Sequence, residues 1–360
     1  MEKKYRILVL NPGSTSTKVA VYENTECIFQ NEVFHELSKA EALGLSIDDI
    51  GFRREQIMSM LQEHGIDLGT LNAVVGRGGF MKPVAGGIYS ITQEMIDDIT
   101  LRARYQHPSN LGVPLASEIG HKYNIPAFTV DPVVVDEMDD IARFSGLPSI
   151  PRRSVLHALN IRAVARLIAE QLGKPYKELN LIVVHMGGGI SVSVHTNGRI
   201  ADVNNALLGM GPFSPQRAGA LPIGDLVDLS YKYFSEGKTV KDLQKYLTKQ
   251  CGLMGYLGTN DGIDIEHRID AGDKEAEMVL SAMVYQIAKE IGAMATVVNG
   301  KLDAIVLTGG LTYCPYVVKW LKERCEFLAP IHIIKGQEEM STMARNAFEV
   351  LSGQAQAKQY

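Results

Sequence analysis

The feature that most constrains the fold of this chain is a repeat of a strand, a turn and a second strand. The first copy, ILVLNPGSTSTKVAV, occupies residues 7–21, and the second, LIVVHMGGGISVSV, occupies residues 181–194. In the alignment of the two copies, Asn11 corresponds to His185. A later pair, LNAVVGRGG at 71–79 and LDAIVLTGG at 302–310, shares its leucine, its alanine, one valine and both final glycines. The chain is therefore predicted to be a duplicated α/β protein whose halves each open on a hairpin with a glycine-containing turn.

Length and composition are typical of globular domains. The chain has 360 residues, 46% of them hydrophobic and 21% charged, which predicts two domains of roughly 100–200 residues each. The formal net charge is −5 without a basic run, so nucleic acid and anionic membranes are disfavoured as partners. The apolar run before Asn11 is only four residues long, residues 7–10, too short for a secretory signal, and no run approaches the ~18 apolar residues of a membrane-spanning helix. The four cysteines have no CxxC spacing, which favours reduced thiols in a cytoplasmic protein.

Helical patterns separate the predicted strands. Helices are expected at about residues 53–64, 110–123, 154–172 and 274–298, and a final one at about 338–351. Gly173 follows the third of these in the position that favours a helix end. The polar tail, residues 352–360, is expected to fray.

The first turn brings together an amide, hydroxyls and a cation, from Asn11, Ser14, Ser16 and Lys18. A tight hairpin with exposed amide groups binds anions readily, although the same residue types also build ordinary polar turns. The repeat favours phosphate binding, because the three consecutive glycines at 187–189 let a ligand approach the backbone closely. Neither turn fits the P-loop or G-x-G-x-x-G pattern, which disfavours those nucleotide-binding folds.

Two loop arginines are candidates for binding an anion. Arg77 lies among glycines at the end of a predicted strand, and Arg217 lies in a loop that contains proline and glycine. A guanidinium binds a carboxylate or a phosphate through two parallel hydrogen bonds. A solvated surface position is the open alternative for each.

Histidines and acids complete the set of candidates. His107 and His157 stand beside loops, although a lone histidine is more often structural. Asp131 ends a hydrophobic strand directly before a proline, at the edge where open α/β sheets bind ligands. Glu338 and Glu339 begin the last predicted helix, where an acid either binds a metal or satisfies the amide groups of the helix start.

These segments resemble the acetate kinase family over essentially the whole chain. NPGSTSTK at 11–18 fits its first phosphate motif, HMGGG at 185–189 its second, and GGL at 309–311 its adenosine motif. The order of the intervening candidates also follows the family: Arg77, His107, Asp131, His157 and Arg217. The resemblance implies duplicated ribonuclease H-like domains with the actin-like ATPase fold of the sugar kinase, actin and heat-shock chaperone superfamily. It also implies a nucleotide cleft between the domains and transfer of the ATP γ-phosphoryl group to a short-chain carboxylate.

The resemblance further implies how the domains divide the work. Residues 1–133 with 339–360 would form the first domain, on the acyl substrate side, and residues 134–338 the second, on the nucleotide side. The expected ligands are ATP or ADP, Mg²⁺ and the carboxylic acid. A homo-oligomer, a dimer or larger, is also expected.

Site residues follow from the resemblance by position. Asn11, Ser14, Ser16 and Lys18 would lie at the phosphates. Arg77 would hold the substrate carboxylate, with His107 and Asn110 in the same binding site. Mg²⁺ would be bound by Asn11, Asp131 and Glu338. His157 and Arg217, with Asp131 and Arg77, would be the catalytic residues. The nucleotide would be surrounded by three segments: His185, Gly187, Gly188 and Gly189; Asp261, Gly262 and Ile263; and Gly309, Gly310, Leu311 and Thr312.

The chain departs from the family pattern at several positions. The second phosphate motif usually has asparagine where Gly188 stands, and Ile263 replaces an arginine near the adenosine. The acetate-specific Gly-Glu-Asn is replaced at residues 312–314, and the chain is some tens of residues shorter than acetate kinases. These departures argue against acetate as the main substrate. The resemblance implies butanoate, with branched-chain acids or propionate as alternatives. A non-catalytic, actin-like or chaperone-like nucleotide-binding protein is a more distant alternative.

Overall fold

The protein consists of two compact units. The computed structural model describes residues 3–13, 16–34, 49–103, 105, 107–336 and 339–360. The first unit is Met1–Val135 with Glu338–Tyr360, and the second is Asp136–Gln337.

The first unit is built on a six-stranded sheet. Its strands are β1 (Arg6–Pro12), β2 (Ser16–Glu23), β3 (Glu26–Phe34), β4 (Ala73–Arg77), β5 (Ile88–Ser90) and β6 (Ala127–Val130). They lie in the order β3-β2-β1-β4-β6-β5. β4 is parallel to both β1 and β6, whereas β2 and β5 are antiparallel to their neighbours. The helices are α1 (Asp49–Glu63), α2 (Gln93–Leu101), α3 (Gly112–Tyr123) and, from the end of the chain, α11 (Glu339–Leu351).

The second unit repeats this plan with five strands. They are β7 (Leu181–Met186), β8 (Ile190–Thr196), β9 (Arg199–Val203), β10 (Ala304–Gly309) and β11 (Ile331–Lys335), in the order β11-β10-β7-β8-β9. Its helices are α4 (Ala158–Leu172), α5 (Ile223–Ser235), α6 (Val240–Lys249), α7 (Gly252–Leu257), α8 (Gly262–Asp270), α9 (Lys274–Val297) and α10 (Pro315–Cys325).

The strand order confirms the duplicated α/β fold. In each unit two antiparallel strands lie on one side of the opening strand and two parallel strands lie on the other, where the first unit adds the antiparallel edge strand β5. Every residue of β7 and of β10 is buried, as expected for parallel strands covered on both faces. The long helix α9 packs a stripe of buried side chains, including Leu280, Val284, Ile287 and Ile291, into the core of this sheet. Consequently, both glycine-containing turns follow the carboxyl end of an opening strand.

The predicted start of helix α4 differs from the structure. Helix α4 ends at Gly173, as predicted, but begins at Ala158 rather than at 154. The preceding residues are extended because Val155 bridges Asn205 and its carbonyl accepts the amide of Ala206. This leaves His157 as the residue before the helix.

The prediction of a frayed tail is wrong, because the end of the chain packs against the first unit. The backbone of Lys358 hydrogen-bonds to Ile88 and Ser90 of the edge strand β5, and its ammonium donates to the carbonyl of Gly86. The hydroxyl of Tyr360 donates to Asp98 and accepts the amide of Lys82. Burial raises the pKa of this tyrosine, and the bond to Asp98 adds to the effect. The tail is predicted to fray because its residues are polar, but its contacts cover the otherwise open edge of β5.

Among the described residues, no helix is both long enough and apolar enough to cross a membrane.

His195 is a buried titratable group in the core of the second unit. Its Nδ1 lies 2.6 Å from the hydroxyl of Tyr176, and its Nε2 lies 2.9 Å from Oγ of Ser193. Burial, and secondarily the charge of Arg162, lowers the pKa of His195 to about 3. The folded unit therefore keeps this ring neutral in mildly acidic solution, where the unfolded chain would protonate it.

We predict that this histidine makes the second unit acid-sensitive. The folded-state pKa lies below the unfolded value, so the contribution of His195 to stability is complete above about pH 6.5 and is lost as the pH falls. The loss amounts to about 2–3 kcal/mol at pH 4.5. Urea unfolding followed by the fluorescence of Trp320, the one tryptophan of the chain, should show a smaller loss of stability between pH 7.5 and pH 4.5 for His195→Gln. The exposed His267→Gln serves as the control. Equal pH dependence in wild type and His195→Gln would contradict the prediction.

Candidate functional site

Three predicted site residues of the first unit lie at one edge of its sheet. Asn11 is near the end of β1, Arg77 is the last residue of β4, and Asp131 follows β6. The register pairs Leu10 with Gly76, so Asn11 and Arg77 are the next residues of adjacent parallel strands. Arg77 pairs in turn with Val130, the residue before Asp131. This is the carboxyl edge of the parallel strands, where α/β sheets bind ligands.

Glu339 joins two of these residues in a buried polar cluster. A guanidinium nitrogen of Arg77 lies 3.0 Å from Glu339 Oε1, and another donates to Asn11 Oδ1 over 3.0 Å. The amide nitrogen of Asn11 donates to Glu339 Oε2 over 2.8 Å. Glu339 is only 3% exposed, and it lies in the first turn of α11, where the helix dipole favours a negative charge. The guanidinium has five N–H groups, so these two contacts do not exhaust its donors.

Asp131 is held in an unusual backbone conformation. Its φ is +38°, in the region that residues other than glycine rarely adopt. Its carboxylate accepts the amide of Gly87 over 2.7 Å, and its own amide donates to the carbonyl of Gly87 over 3.0 Å. Backbone strain of this kind is concentrated at functional sites. The observed strain therefore supports the choice of Asp131 as a candidate.

The segment from His107 to Asn110 supports the loop that follows Arg77. Asn110 accepts the amide of Phe80 over 2.9 Å and donates to the carbonyl of Tyr105 over 3.0 Å. Nδ1 of His107 lies 2.8 Å from the hydroxyl of Ser109. The ring of Phe80 contacts the rings of Tyr105 and His107. Thus the amide oxygen and the amide nitrogen of Asn110 each hydrogen-bond to a backbone group. An aromatic cluster begins at Phe80, three residues beyond Arg77.

A buried arginine supports the first turn, and sequence reasoning missed it. Arg53 of α1 is fully buried and donates to the carbonyl of Gly13 over 2.8 Å and to the hydroxyl of Thr17 over 3.2 Å. Across the turn the amide of Gly13 donates to the carbonyl of Ser16. Lys18 is exposed on β2. Ser14, another predicted phosphate contact, lies outside the described residues.

The second turn is closed by its own backbone and by a serine. The amide of Gly187 donates to the carbonyl of Gly189 over 3.1 Å, and the hydroxyl of Ser214 donates to the carbonyl of Gly188 over 2.7 Å. His185 precedes the turn on β7 and is 1% exposed. A Cβ placed on Gly187 would lie 3.2 Å from its Nε2, so this nitrogen faces the turn.

Arg217 packs directly against this turn. Its guanidinium donates to the carbonyl of Ala206, and loss of hydration lowers its pKa to about 10. The side chain remains charged at neutral pH. A Cβ on Gly189 would lie 2.2 Å from a guanidinium nitrogen of Arg217. Glycine at 189 is therefore needed for the arginine to occupy this position.

His157 and His185 form a stacked pair beside the second turn. Their ring centroids are 4.0 Å apart, with 15° between the planes. Nδ1 of His157 lies 2.9 Å from the hydroxyl of Ser191 on β8, which also accepts the backbone amide of His157. The structure thus brings the predicted catalytic histidine to the predicted phosphate turn.

The predicted adenosine segments lie close together in the second unit. Asp261 caps α8 by accepting the amide of Ile263 over 2.9 Å, and Ile263 itself is exposed. A Cβ on Gly262 would lie 3.5 Å from a methyl group of Leu311. Gly309 has a φ of +94°, and a Cβ there would lie 2.5 Å from the carbonyl oxygen of Met186. The hydroxyl of Thr312 in the following helical turn, Gly310–Tyr313, donates to the carbonyl of Gly309.

The donor set in the first unit suits a hard cation. Asn11, Asp131 and Glu339 offer amide and carboxylate oxygens, and Mg²⁺ typically uses one or two carboxylates together with water and substrate phosphates. Within the described ranges, no three histidines, cysteines or acids are grouped as a ready-made metal site. Glu338, the predicted third ligand, lies outside the described residues. These oxygens therefore suit a cation whose remaining ligands are water and phosphate oxygens.

Comparisons with known proteins agree with this architecture. A model described as the acetokinase family matches residues 149–332. A "Probable butyrate kinase" of Clostridium botulinum (strain Alaska E43) is 46% identical over 356 residues, 99% of each chain. "Butyrate kinase 1" of Clostridium acetobutylicum is 44% identical over the same length and coverage.

Solved structures share the fold at lower sequence identity. The acetate kinase of Porphyromonas gingivalis matches with a TM-score of 0.76 and 19% identity, over 96% of this chain and 100% of its own. The propionate kinase of Francisella tularensis matches with a TM-score of 0.75 and 20% identity, over 95% and 98%.

We predict that the ion pair between Arg77 and the buried Glu339 stabilises the first unit. Arg77→Met should leave the Glu339 carboxylate buried without its guanidinium, at a cost of about 3–5 kcal/mol. Adding Glu339→Gln should recover most of this loss, because the amide is neutral. Hydrogen exchange of peptides from β1 and β4 measures the effect. Arg54→Met, which breaks an exposed pair with Glu118, should cost at most ~1 kcal/mol. A double variant no more stable than the single one would contradict the assignment.

We also predict that Gly189→Ala disturbs the second unit through Arg217. The added methyl group would displace the guanidinium and press on the carbonyl of Ala206, 3.0 Å away, at a cost of about 1–3 kcal/mol. Thermal unfolding followed by Trp320 fluorescence measures this. The control is Gly292→Ala in α9, where a Cβ meets nothing within 4 Å and should add ~0.5–1 kcal/mol of stability. Equal unfolding temperatures in the two variants would refute the prediction.

Proposed function

Because this chain belongs to the acetokinase family, we propose that it is a butyrate kinase that transfers the γ-phosphoryl group of ATP reversibly to butanoate. The products are butanoyl phosphate and ADP. The observation that carries the proposal is the 44–46% identity to butyrate kinases over 99% of the chain. The phosphoryl acceptor is thus a carboxylate, and the enzyme is a phosphotransferase.

The reaction requires charge neutralisation rather than a general base. A carboxylate oxygen attacks the γ-phosphorus, and the bond from that phosphorus to the bridging oxygen breaks, which releases ADP. The nucleophile is already deprotonated at neutral pH, so the difficulty is to bring two anions together in line. A like-charge pair at ~4 Å costs about 4 kcal/mol at an effective dielectric constant near 20. Cationic side chains must supply that energy.

Arg77 is the proposed carboxylate-binding residue. Its guanidinium is oriented by Asn11 and Glu339, so little side-chain freedom is lost when substrate binds. The nearby aromatic cluster of Phe80, Tyr105 and His107 offers apolar surface for a short alkyl chain. His107 would contact the acid, whereas Asn110 would act by holding the loop.

The first unit would also hold the cation. We propose that Asn11, Asp131 and an acid at the start of α11 bind Mg²⁺, with Ser16 and Lys18 near the phosphates. When bound, Mg²⁺ neutralises phosphate charge and aligns the γ-phosphoryl group. Glu339 is already oriented by Asn11, and Asp131 is fixed by its backbone and by Gly87.

The second unit would hold the nucleotide. The turn at 187–189 offers amide groups to the phosphates, and Arg217 and His157 would stabilise charge on the transferring group. The segments around Asp261 and Gly310 would enclose the adenosine. The enzyme would work in the cytoplasm, where ATP is available and thiols stay reduced. A homo-oligomer remains a prediction that light scattering can check.

Trapping of acyl phosphate by hydroxylamine tests the function. We expect ATP- and Mg²⁺-dependent hydroxamate formation to be fastest with butanoate among straight and branched acids of two to six carbons. Pocket shape separates homologous acids by only ~1–3 kcal/mol per methylene. Preference for isobutyrate or propionate would therefore reassign the substrate within the class, and no product with any acid would refute the proposal.

Arg77→Lys tests the carboxylate-binding role. An ammonium cannot form two parallel bonds, so we expect kcat/KM for butanoate to fall roughly 10–100-fold, with the KM for ATP changed less than about twofold. Arg54→Lys on the surface of the same unit is the control. Unaltered butanoate kinetics, or a selective loss of ATP binding, would show that Arg77 has another role.

A further inference from the structure

A chain of hydrogen bonds with a fixed direction runs to His185 from the end of β11. It starts at the carbonyl of Gly336, which can only accept. The hydroxyl of Thr308 lies 3.2 Å away and donates to it. Since a hydroxyl has one proton, the Thr308 oxygen can only accept any further hydrogen bond.

Asn160 is the next member of this chain. It lies on α4, is fully buried, and places Nδ2 3.1 Å from the hydroxyl of Thr308 and 2.9 Å from Nδ1 of His185. The reversed amide would put an oxygen against Thr308, whose one proton is used on Gly336. This series of hydrogen bonds therefore selects the amide orientation of Asn160 in which the two protons of Nδ2 point to Thr308 and to His185.

The direction of these bonds decides the protonation of His185. Its Nδ1 accepts a hydrogen bond from the amide of Asn160, so it carries no proton of its own, and the ring proton resides on Nε2. We infer that Asn160 is a positioning residue that fixes His185 as the neutral Nε2–H tautomer, so that a donor faces the glycine turn at 187–189. Its value for phosphate binding rests on the proposed function, whereas the tautomer does not.

Two further observations fit this role. Nε2 faces Gly187, as the short distance from a Cβ there shows. A lone pair at that position would repel phosphate oxygens, whereas an N–H attracts them. The face of the ring is covered by His157, and a neutral ring avoids the repulsion that two stacked imidazolium ions would suffer.

Nitrogen-15 NMR of the histidine-labelled, full-length protein at pH 7.5 reads the tautomer directly. We expect the His185 signals, assigned by their absence in His185→Gln, to show Nε2 protonated and Nδ1 unprotonated. In Asn160→Asp the carboxylate can only accept, so Nδ1 should gain a proton. Asn180→Asp, a matched change at an amide bonded to Lys301 in the same unit, should leave the signals as in wild type. A protonated or averaged Nδ1 in the wild-type protein would overturn the inference.

Calorimetric titration with MgATP tests whether Asn160 acts through His185. We expect Asn160→Leu to weaken binding roughly tenfold in the wild-type background, and less than about twofold in the His185→Gln background. A residue that only supported the fold would cost the same factor in both, and that outcome would overturn the positioning role. If Asn160→Leu does not fold, the NMR of wild type and Asn160→Asp still decides the tautomer. Failure to phosphorylate any acid would refute the proposed function without altering either readout.

Discussion

The ion pair between the partly buried Arg77 and the buried Glu339 links distant parts of the first unit. It joins the end of β4 to the first turn of a helix more than two hundred residues later, and Asn11 adds the end of β1. A buried charge pair is stable only when both partners and their remaining hydrogen bonds are in place. The same contacts that close the fold therefore orient the arginine that would hold substrate. Stability and chemistry depend on one cluster.

The two units connect the ends of their corresponding parallel strands through different side chains. In the alignment of the repeats, Asn11 corresponds to His185 and Arg77 to Thr308. In the first unit this pair is bonded directly, whereas in the second Asn160 lies between the two residues and bonds to both. The inserted amide replaces a charged contact by a neutral, directional one. The strand order is thus shared, while the edge of the first sheet carries a charged cluster and that of the second carries neutral, oriented dipoles.

The fold and the two turns could be predicted because they depend on local patterns. Buried strands, glycine at turns and the helix end at Gly173 all follow from neighbouring residues. Arg53 and Asn160 could not be recognised, since an arginine or asparagine within a helical pattern is normally exposed, and only distant partners make burial favourable. Glu339 was recognised as a candidate, but its partners Asn11 and Arg77 lie far away in sequence. The docked tail at Lys358 and Tyr360 was missed for the same reason.

The path of the chain has a consequence for its synthesis on the ribosome. The first unit contains residues from both ends of the sequence, and the second unit is formed by the continuous stretch between them. Arg77 and Asn11 emerge early, but Glu339 follows Arg77 only after 262 residues (339 − 77), which at ~5–20 residues per second takes on the order of tens of seconds. During that interval the second unit is being synthesised, and Arg77 of the first unit is without its partner Glu339. The charged cluster of the first unit can therefore be completed only after the whole of the second unit has been synthesised.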